Sequence, residues 1–246
     1  MQPRSVNATH PSEVGAPAVI GLLGTPLALT DYATFAAFCV AAARESRPVA
    51  VEFVNTHIVA LCRHDTAFRD VLRDYDHLVP DGMPLVWCLN LRGANLRDRV
   101  YGPTFMRKFL ETAPAGSTHY LLGGSAECAA RLREIFLARN PGLKFVGGFH
   151  GRCGADGILE GAAEAEVIAE INALAPDFIW VGFAFDANAG LKPDAPAWMQ
   201  RCGLTWLFRL ASEPRRLLGR YVKYNSLFLF YLLWDGLRGR AFAAGK

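Results

Sequence analysis

Short apolar runs alternate with helix-length amphipathic segments along most of the chain, and this alternation limits the fold more than any other feature. It is typical of a sheet built from βαβ units. The predicted strands are Val19 to Leu23, Pro48 to Val54, Ser117 to Leu122, Leu143 to Gly147 and Asp177 to Phe183. The predicted helices are Asp31 to Glu45, Thr66 to Asp74, Pro84 to Leu91, Pro103 to Thr112, Ala126 to Arg139 and Glu160 to Leu174. We therefore predict an α/β fold with a mostly parallel, Rossmann-like sheet, flanking helices and a C-terminal helical appendage.

A chain of 246 residues has room for one main core and an appendage. We predict a flexible tail at 1–18, an α/β domain at 19–200 and a basic amphipathic helical appendage at 201–246. The six cysteines lie far apart without a C-x-x-C pair, which indicates reduced core thiols. Residues 1–18 contain no apolar core of signal-peptide length, so a cytoplasmic location is expected.

The charge of the chain is unevenly distributed. Residues 201–246 hold nine Lys or Arg against two acids, a net charge of +7, whereas residues 1–200 carry −4. Basic residues mixed with aromatic ones suit a membrane surface or a polyanion. Nucleic acid is disfavoured as a partner because the rest of the chain is acidic.

The appendage contains a predicted amphipathic helix beginning near Arg215. Its basic side holds Arg216, Arg220 and Lys223, and its apolar side holds Leu217, Leu218, Tyr221 and Tyr224. Two interpretations remain open: a helix packed on its own domain with a solvated basic face, or a helix lying among lipid headgroups. The longest apolar run, Leu227 to Trp234, has eight residues, far fewer than the roughly 20 that span a bilayer.

Ligands of open α/β sheets lie beyond the carboxyl ends of the strands, so the turns there hold the candidate site residues. The candidates are Asn55, Asp81 before Gly82, the Gly123-Gly124 pair, and His150 with Arg152. Backbone N–H groups at paired glycines before a helix can hold a phosphate. His150 and Arg152 could contact an anion. The alternatives are a helix cap for Asn55 and ordinary turns or caps for the others.

Several chemistries are disfavoured. Asp74-Tyr75-Asp76 matches the D-x-D pattern of metal-dependent sugar transferases, but further oxygen ligands are not apparent, so no metal is predicted. The sequence contains no H-E-x-x-H, G-x-S-x-G or P-loop motif, and no full dinucleotide fingerprint. Zinc proteases, common serine hydrolases and nucleotide-dependent oxidoreductases are therefore poor matches.

Taken in order, these turns and a C-terminal tract resemble the WecG/TagA/CpsF family of bacterial glycosyltransferases, from about Val49 to Phe230. The shared pieces are Asp81-Gly82, Arg99-Val100-Tyr101-Gly102-Pro103, Gly123-Gly124, 141–151, 176–182 and Ala195-Pro196-Ala197-Trp198. The most specific piece is Gly203-Leu204-Thr205-Trp206 through Arg209-Leu210 to Glu213-Pro214-Arg215-Arg216. It is similar to the family pattern G-L-E-W-x-x-R-L-x-x-E-P-x-R, with Thr205 in place of Glu.

The resemblance implies transfer of a sugar, often of the N-acetylmannosamine type, from a UDP-sugar to an undecaprenyl-diphosphate-linked acceptor in cell-surface polysaccharide or teichoic acid synthesis. It implies an inverting, metal-independent reaction without a cofactor, on the inner face of the cell membrane. Asp81 matches the catalytic base and Asn55 a sugar-binding position. Gly123 and Gly124 would lie near phosphate. Arg209, Arg215 and Arg216 match arginines implicated in stabilising the diphosphate and in membrane attachment.

The chain departs from the family pattern after Val181-Gly182-Phe183. On the order of 30 residues, about one crossover unit, are missing before Phe185-Asp186. Removing an interior strand leaves backbone N–H and C=O groups without partners unless the sheet rearranges. Phe53 also stands where relatives have Thr. A catalytically weak or inactive remnant that binds nucleotide, lipid or a partner is therefore the alternative to an active enzyme.

Overall fold

The computed structural model describes residues 15–150, 164–182, 188–190, 195–202 and 204–238. The strands in these ranges are β1 (Val19–Leu22), β2 (Thr25–Ala28), β3 (Val51–Val54), β4 (His77–Pro80), β5 (Thr118–Leu122), β6 (Lys144–Phe149) and β7 (Phe178–Val181). The helices of the α/β part are α1 (Tyr32–Arg44), α2 (Thr56–His64), α3 (Thr66–Leu72), α4 (Met83–Asn90), α5 (Gly102–Thr112), α6 (Ala126–Arg139) and α7 (Glu164–Leu174). The C-terminal helices are α8 (Ala197–Arg201), α9 (Thr205–Ser212) and α10 (Pro214–Leu237).

The strands form three separate ladders. β1 and β2 make an antiparallel hairpin, β3 pairs with β4 in parallel, and β5 lies between β6 and β7 in a parallel sheet. The predicted α/β class with parallel strands, flanking helices and C-terminal helices is confirmed. The sheet is divided, however, because no ladder within the described ranges joins β3 to β7.

The predicted strands and helices did not include β2, β4, α2, α8 or α9. Asp81 and Asn55 were nevertheless expected at strand ends, and α9 lies within the predicted helical appendage. β2 contains Pro26 and β4 ends at Pro80, and a proline weakens the strand signal because it cannot donate to a ladder. α2 is only nine residues long. The predicted starts and ends at Glu160 and Phe183 lie outside the described residues, and the domain boundaries remain a prediction.

Two apolar clusters build the core. The first lies among α1, α5 and α6 and includes Phe35, Phe105, Phe109 and Phe136. The second lies among α2, α4 and α10 and includes Val59, Leu85, Leu89 and Phe228. Because Phe228 belongs to α10, the C-terminal helix contributes to the core of the α/β fold.

A buried histidine fixes the position of β7. His119 on β5 is fully buried, and burial lowers its pKa to about 4, so the ring is neutral near pH 7. Trp180 Nε1 donates to His119 Nδ1 at 3.2 Å, which places the ring proton on Nε2, 2.9 Å from Ser117 Oγ. Thr118 on β5 also donates through N and Oγ1 to Asp177 Oδ2, each at 2.8 Å.

Polar contacts attach α10 to α2. Arg63 Nη2 and Asp235 Oδ1 lie 2.9 Å apart, and only 8% of the Asp235 side chain is exposed. Thr56 Oγ1 donates to Asn225 Oδ1 at 3.0 Å, and the rings of His57 and Tyr224 meet edge-on at 4.3 Å. The C-terminal helix is therefore held by specific contacts at several points along its length.

We expect Asp235→Asn to lower the free energy of unfolding by about 2 kcal/mol, because a charged hydrogen bond is lost and Arg63 keeps an uncompensated charge. Urea denaturation measures this change. The control is Glu134→Gln, which breaks the exposed pair with Arg131 (2.6 Å) and should change stability by less than about 0.5 kcal/mol. Equal effects of the two substitutions would contradict a structural role for the α2–α10 pair.

Candidate active site

Asp81 lies at the carboxyl end of the β3–β4 pair, as the sequence predicted. Its backbone N–H donates to the Val54 carbonyl at 2.7 Å, which extends the parallel ladder by one residue. Gly82 then caps α4. The Asp81 side chain is thus fixed by backbone geometry at the end of a strand.

The Asp81 carboxyl lines a cavity of about 600 Å³, referred to below as the Asp81 cavity. β3 and β7 lie on two sides of this cavity, and residues from α1 and α5 also line it. Its polar and charged lining side chains are Arg47, Glu52, Tyr75, Asp81, Tyr101, Asp177 and Arg209. Its aromatic lining side chains include Phe35, Phe53, Phe105, Phe109, Phe178 and Trp180. The size falls within the usual range for small-molecule sites.

The environment of Asp81 favours its protonated form. Burial raises the pKa of Asp81 to about 8, outweighing the opposing effects of Arg99, Arg209 and a hydrogen bond from the Gly102 N–H. The carboxyl of Glu52 adds a smaller effect in the same direction as burial. Asp81 is therefore a carboxyl whose basicity is matched to near-neutral pH.

Arg99 is a site residue that the sequence analysis did not select. It is 6% exposed, and its Nη1 donates to the Asp81 backbone carbonyl at 3.3 Å. Its Nη2 donates to Thr205 Oγ1 at 2.8 Å, and its guanidinium lies 4.7 Å from the Tyr101 ring centroid. In the sequence, Arg99 stands two residues before Tyr101 and the Gly102-Pro103 helix start, but nothing there indicates that its side chain is buried.

Arg209 reaches the same site from the C-terminal appendage. Its Nη2 donates to the Tyr101 hydroxyl at 2.6 Å, and it lines the Asp81 cavity. Thr205 and Arg209 both belong to α9, so this helix completes the surroundings of Asp81. The structure thus brings together two predicted residues, Asp81 and Arg209, that are far apart in sequence.

Asn55 follows β3 and serves as the N-cap of α2. Its Oδ1 accepts a hydrogen bond from the Ile58 N–H at 3.2 Å, which is the capping alternative considered from the sequence. It is not among the residues that line the Asp81 cavity. A sugar-binding role for Asn55 remains a prediction.

Gly123 and Gly124 form the turn between β5 and α6 with φ of 100° and 75°, where residues with a Cβ are strained. The Gly123 N–H donates to the Phe149 carbonyl at 2.8 Å. The sequence analysis predicted that this amide lies near phosphate, whereas here it is hydrogen-bonded within the sheet. The turn lies beside the end of β7, because a Cβ on Gly123 would come within 3.7 Å of Gly182. A phosphate-binding role for the Gly124 N–H stays a prediction.

The remaining candidates are more distant or are not described. His150 follows β6 and is exposed, and Arg215 is exposed at the start of α10. Neither lines the Asp81 cavity. Arg152 and the side chain of Arg216 lie outside the described residues. The structure therefore does not place His150 or Arg215 with Asp81, and the roles of Arg152 and Arg216 stay predictions.

The second aspartate of the D-x-D pattern, Asp76, makes a structural hydrogen bond. Asp76 Oδ2 accepts a hydrogen bond from the Ala50 N–H at 2.8 Å, at the start of the β3–β4 pair. Within the described part of the chain, no group of three or more His, Cys, Asp or Glu side chains is placed to hold a metal ion.

A model of the Glycosyl transferase WecG/TagA/CpsF family matches residues 20–184 and 178–242. The chain belongs to the WecG/TagA/CpsF family of glycosyltransferases, which confirms the resemblance drawn from the motifs. The two matched blocks overlap at residues 178–184, the region in which the sequence analysis placed a missing segment.

Two relatives carry the name N-acetylglucosaminyldiphosphoundecaprenol N-acetyl-beta-D-mannosaminyltransferase. The protein from Bacillus subtilis (strain 168) is 23% identical over 193 residues, which cover 68% of this chain and 72% of the relative. The protein from Bacillus spizizenii (strain ATCC 23059 / NRRL B-14472 / W23) is 24% identical over 180 residues, covering 61% and 65%. This chain is similar to both at low identity.

We expect Asp81→Asn to stabilise the fold near and above pH 8 and to have little effect below pH 4. A carboxyl with a raised folded-state pKa contributes stability below its unfolded pKa, and this contribution is lost as pH rises through about 8. Asn does not titrate, so the melting temperature of the variant should exceed that of the wild type by about 5 °C or more at pH 8.5. Thermal unfolding at pH values from 4 to 9 measures the difference.

The control is Asp70→Asn, which changes an exposed carboxylate paired with Arg73 at 3.0 Å. Its melting curve should follow the wild type at each pH. Parallel pH profiles for wild type and Asp81→Asn would rule out the raised pKa.

Proposed function

We propose that this protein transfers a hexose, of the N-acetylmannosamine type or another, from a UDP-sugar to an undecaprenyl-diphosphate-linked saccharide. The reaction is inverting and metal-independent, with Asp81 as the base, and serves cell-surface polysaccharide or teichoic acid synthesis. The observation that carries the proposal is the placement of the Asp81 carboxyl in a cavity beside Arg209 and Arg99. The names of the relatives support a lipid-linked acceptor.

The proposed step is a single displacement at the anomeric carbon of the donor sugar. A hydroxyl oxygen of the acceptor forms a bond to that carbon while the Asp81 carboxylate takes the hydroxyl proton. The bond between the anomeric carbon and the diphosphate oxygen breaks, and UDP leaves with the electron pair. A base is most effective when its pKa lies near the operating pH, which fits the value of about 8 for Asp81.

The leaving diphosphate requires positive charge and hydrogen-bond donors. Arg209 faces the Asp81 cavity, and Arg99 contributes a buried positive charge behind it. Cations held in place before the reaction stabilise a leaving group without reorganising. The Arg99 side chain contacts a hydroxyl, Thr205, where the family pattern has Glu, so less of its charge is offset at this position.

The C-terminal helices supply a surface for the membrane. The buried face of α10 packs on the second apolar cluster through Tyr224, Leu227, Phe228 and Tyr231. The opposite side exposes Leu218 (53%), Val222 (59%), Leu229 (59%), Leu233 (70%) and Leu237 (87%). Leu218 was predicted on the packed side and is instead exposed. One face of α10 packs on the domain, as the first interpretation predicted, and the other face is exposed, so the headgroup interpretation stays a prediction.

The exposed side of α10 suits the headgroup layer of an anionic bilayer. Arg215, Arg220 and Lys223 are exposed on the same helix as the apolar residues. None of the helices in the described ranges is both long enough and apolar enough to cross a membrane. We therefore place the protein peripherally, on the inner face of the cell membrane, with α10 lying along the surface.

Asp81→Asn should lower kcat/KM for transfer from UDP-N-acetylmannosamine by a factor of about 10²–10⁴, because the acceptor proton loses its base. In the wild type, kcat/KM should rise with pH and level off above about 8, because only the ionised carboxyl accepts the proton. Product formation from an undecaprenyl-diphosphate-linked N-acetylglucosamine acceptor, followed by mass spectrometry, measures both. Asp70→Asn should retain wild-type activity and the same pH profile.

A wild-type protein that binds the donor but forms no more product than Asp81→Asn would refute the transferase proposal. That outcome would favour the alternative, an inactive family member that only binds nucleotide, lipid or a partner. Transfer by the wild type with an unchanged rate in Asp81→Asn would instead remove only the role of Asp81.

Replacing Arg215, Arg220 and Lys223 together by Gln should weaken binding to anionic vesicles on the order of 100-fold, at about 1 kcal/mol per charge. Co-sedimentation with vesicles of phosphatidylglycerol and phosphatidylcholine measures the binding. A triple Gln variant at Arg131, Arg139 and Lys144, outside the C-terminal helices, should bind like the wild type. Binding that is indifferent to anionic lipid and to salt would count against the proposed surface.

A further inference from the structure

The divided sheet leaves a slot between two strand edges. β3 is hydrogen-bonded only to β4, and β7 only to β5, among the described strands. Residues 51–53 of β3 and Phe178–Val181 of β7 line the Asp81 cavity from opposite sides. We call the part of the cavity between these edges the β3–β7 slot. It joins Asp81 and Arg209 at the carboxyl ends of the strands to Arg47 and Asp177 at the other end.

The slot is large enough for a ligand. One residue of a packed strand occupies about 160 Å³, given a rise of ~3.3 Å, a strand spacing of ~4.8 Å and a layer spacing of ~10 Å. The cavity volume of about 600 Å³ therefore corresponds to roughly four strand residues, the length of β3 or β7. Among the described strands, none occupies the space between β3 and β7 beside Asp81.

The walls of the slot combine apolar rings with few polar groups. Phe53 packs on Phe105 at a ring distance of 5.2 Å, and Trp180 packs on Phe109 at 5.4 Å. Phe105 and Phe109 belong to the first apolar cluster, and Phe53 and Trp180 pack against it, which holds these rings in place. A site of this composition suits a ligand with an apolar face and a polar edge. A pyranose ring has this character, with C–H groups on its faces and hydroxyls around its rim.

Glu52 lines the slot, and its carboxyl is available to a ligand. Within the described part of the chain, no hydrogen bond or ion pair engages this half-buried carboxyl. Asp177, at the far end of the slot, instead accepts two hydrogen bonds from Thr118. A carboxyl that has lost part of its hydration without gaining a protein donor is stabilised when a ligand supplies a hydrogen bond. Burial also raises the pKa of Glu52, in keeping with this loss of water.

We propose that the β3–β7 slot holds the hexose ring of the donor, with Glu52 bound to its hydroxyl groups and Phe53 and Trp180 against its faces. This inference rests on the proposed function and extends it, because it makes Glu52 a residue that determines donor specificity. Asp81 lines the same cavity, so a ring in the slot lies within the enclosure that holds the proposed base. The competing explanation is that Glu52 only prevents the exposed edge of β3 from pairing with other strands.

The test compares the binding of UDP with that of UDP-N-acetylmannosamine and UDP-N-acetylglucosamine by isothermal titration calorimetry. In the wild type, at least one of the UDP-sugars should bind more tightly than UDP, because the sugar occupies the slot. Glu52→Gln keeps the shape of the side chain and should weaken binding of that UDP-sugar about tenfold, with UDP binding unchanged within about twofold. Glu134→Gln, an exposed change on α6, should leave all affinities as in the wild type.

Thermal unfolding of each variant separates binding from folding. A folded Glu52→Gln variant with wild-type affinity for every UDP-sugar, or with equal losses for UDP and UDP-sugars, would overturn the inference. Trp180→Phe provides a second variant, since it should also weaken the UDP-sugar more than UDP.

The outcomes also distinguish this inference from the proposed function. If the wild type binds a UDP-sugar through Glu52 but makes no product, the slot inference stands and the transferase proposal fails. If the wild type and the Glu52→Gln variant transfer sugar equally well, the transferase proposal stands and the slot inference fails. A wild type that binds no UDP-sugar more tightly than UDP overturns the slot whatever its activity.

Discussion

The buried guanidinium of Arg99 connects three parts of the chain around Asp81. It donates to the Asp81 backbone carbonyl, lies over the Tyr101 ring and donates to Thr205 of the C-terminal appendage. A buried cation is costly unless hydrogen-bonded, so these partners are required for the fold as well as for the site. The same interaction that joins the appendage to the α/β part therefore sets the electrostatic environment of the candidate base.

The appendage has two surfaces with different chemistry. One face of α10 is anchored to α2 by Phe228 and by the Arg63–Asp235 pair. The other exposes leucines and basic residues. Because α9 also brings Arg209 to Asp81, a single helical segment connects the proposed membrane surface with the proposed catalytic cavity. A lipid-linked acceptor would have to be presented at such a junction.

The divided sheet determines the space available in the site. Strands in a continuous parallel sheet leave no room between their backbones, since neighbours lie about 4.8 Å apart. Here β3 and β7 border a cavity, and among the described strands nothing pairs with the edges that face it. The position coincides with the junction of the two blocks matched by the family model, near residues 178–184. The divided sheet thus leaves a larger cavity than a closed sheet would permit.

The sequence by itself determined the α/β class, the positions of β3 and β5, and the location of Asp81 at a strand end. Hydrophobic periodicity and turn residues are local, so a linear pattern carries them. Only the tertiary structure decided that Arg99 is buried, that Asn55 caps α2, that the Gly123 amide serves the sheet and that the Glu52 carboxyl has no hydrogen-bond donor among the described residues. Most of these depend on contacts between distant segments, such as α9 with the Asp81 turn. Burial and pKa follow from those contacts, because desolvation depends on what surrounds a group in space and not on its neighbours in the chain.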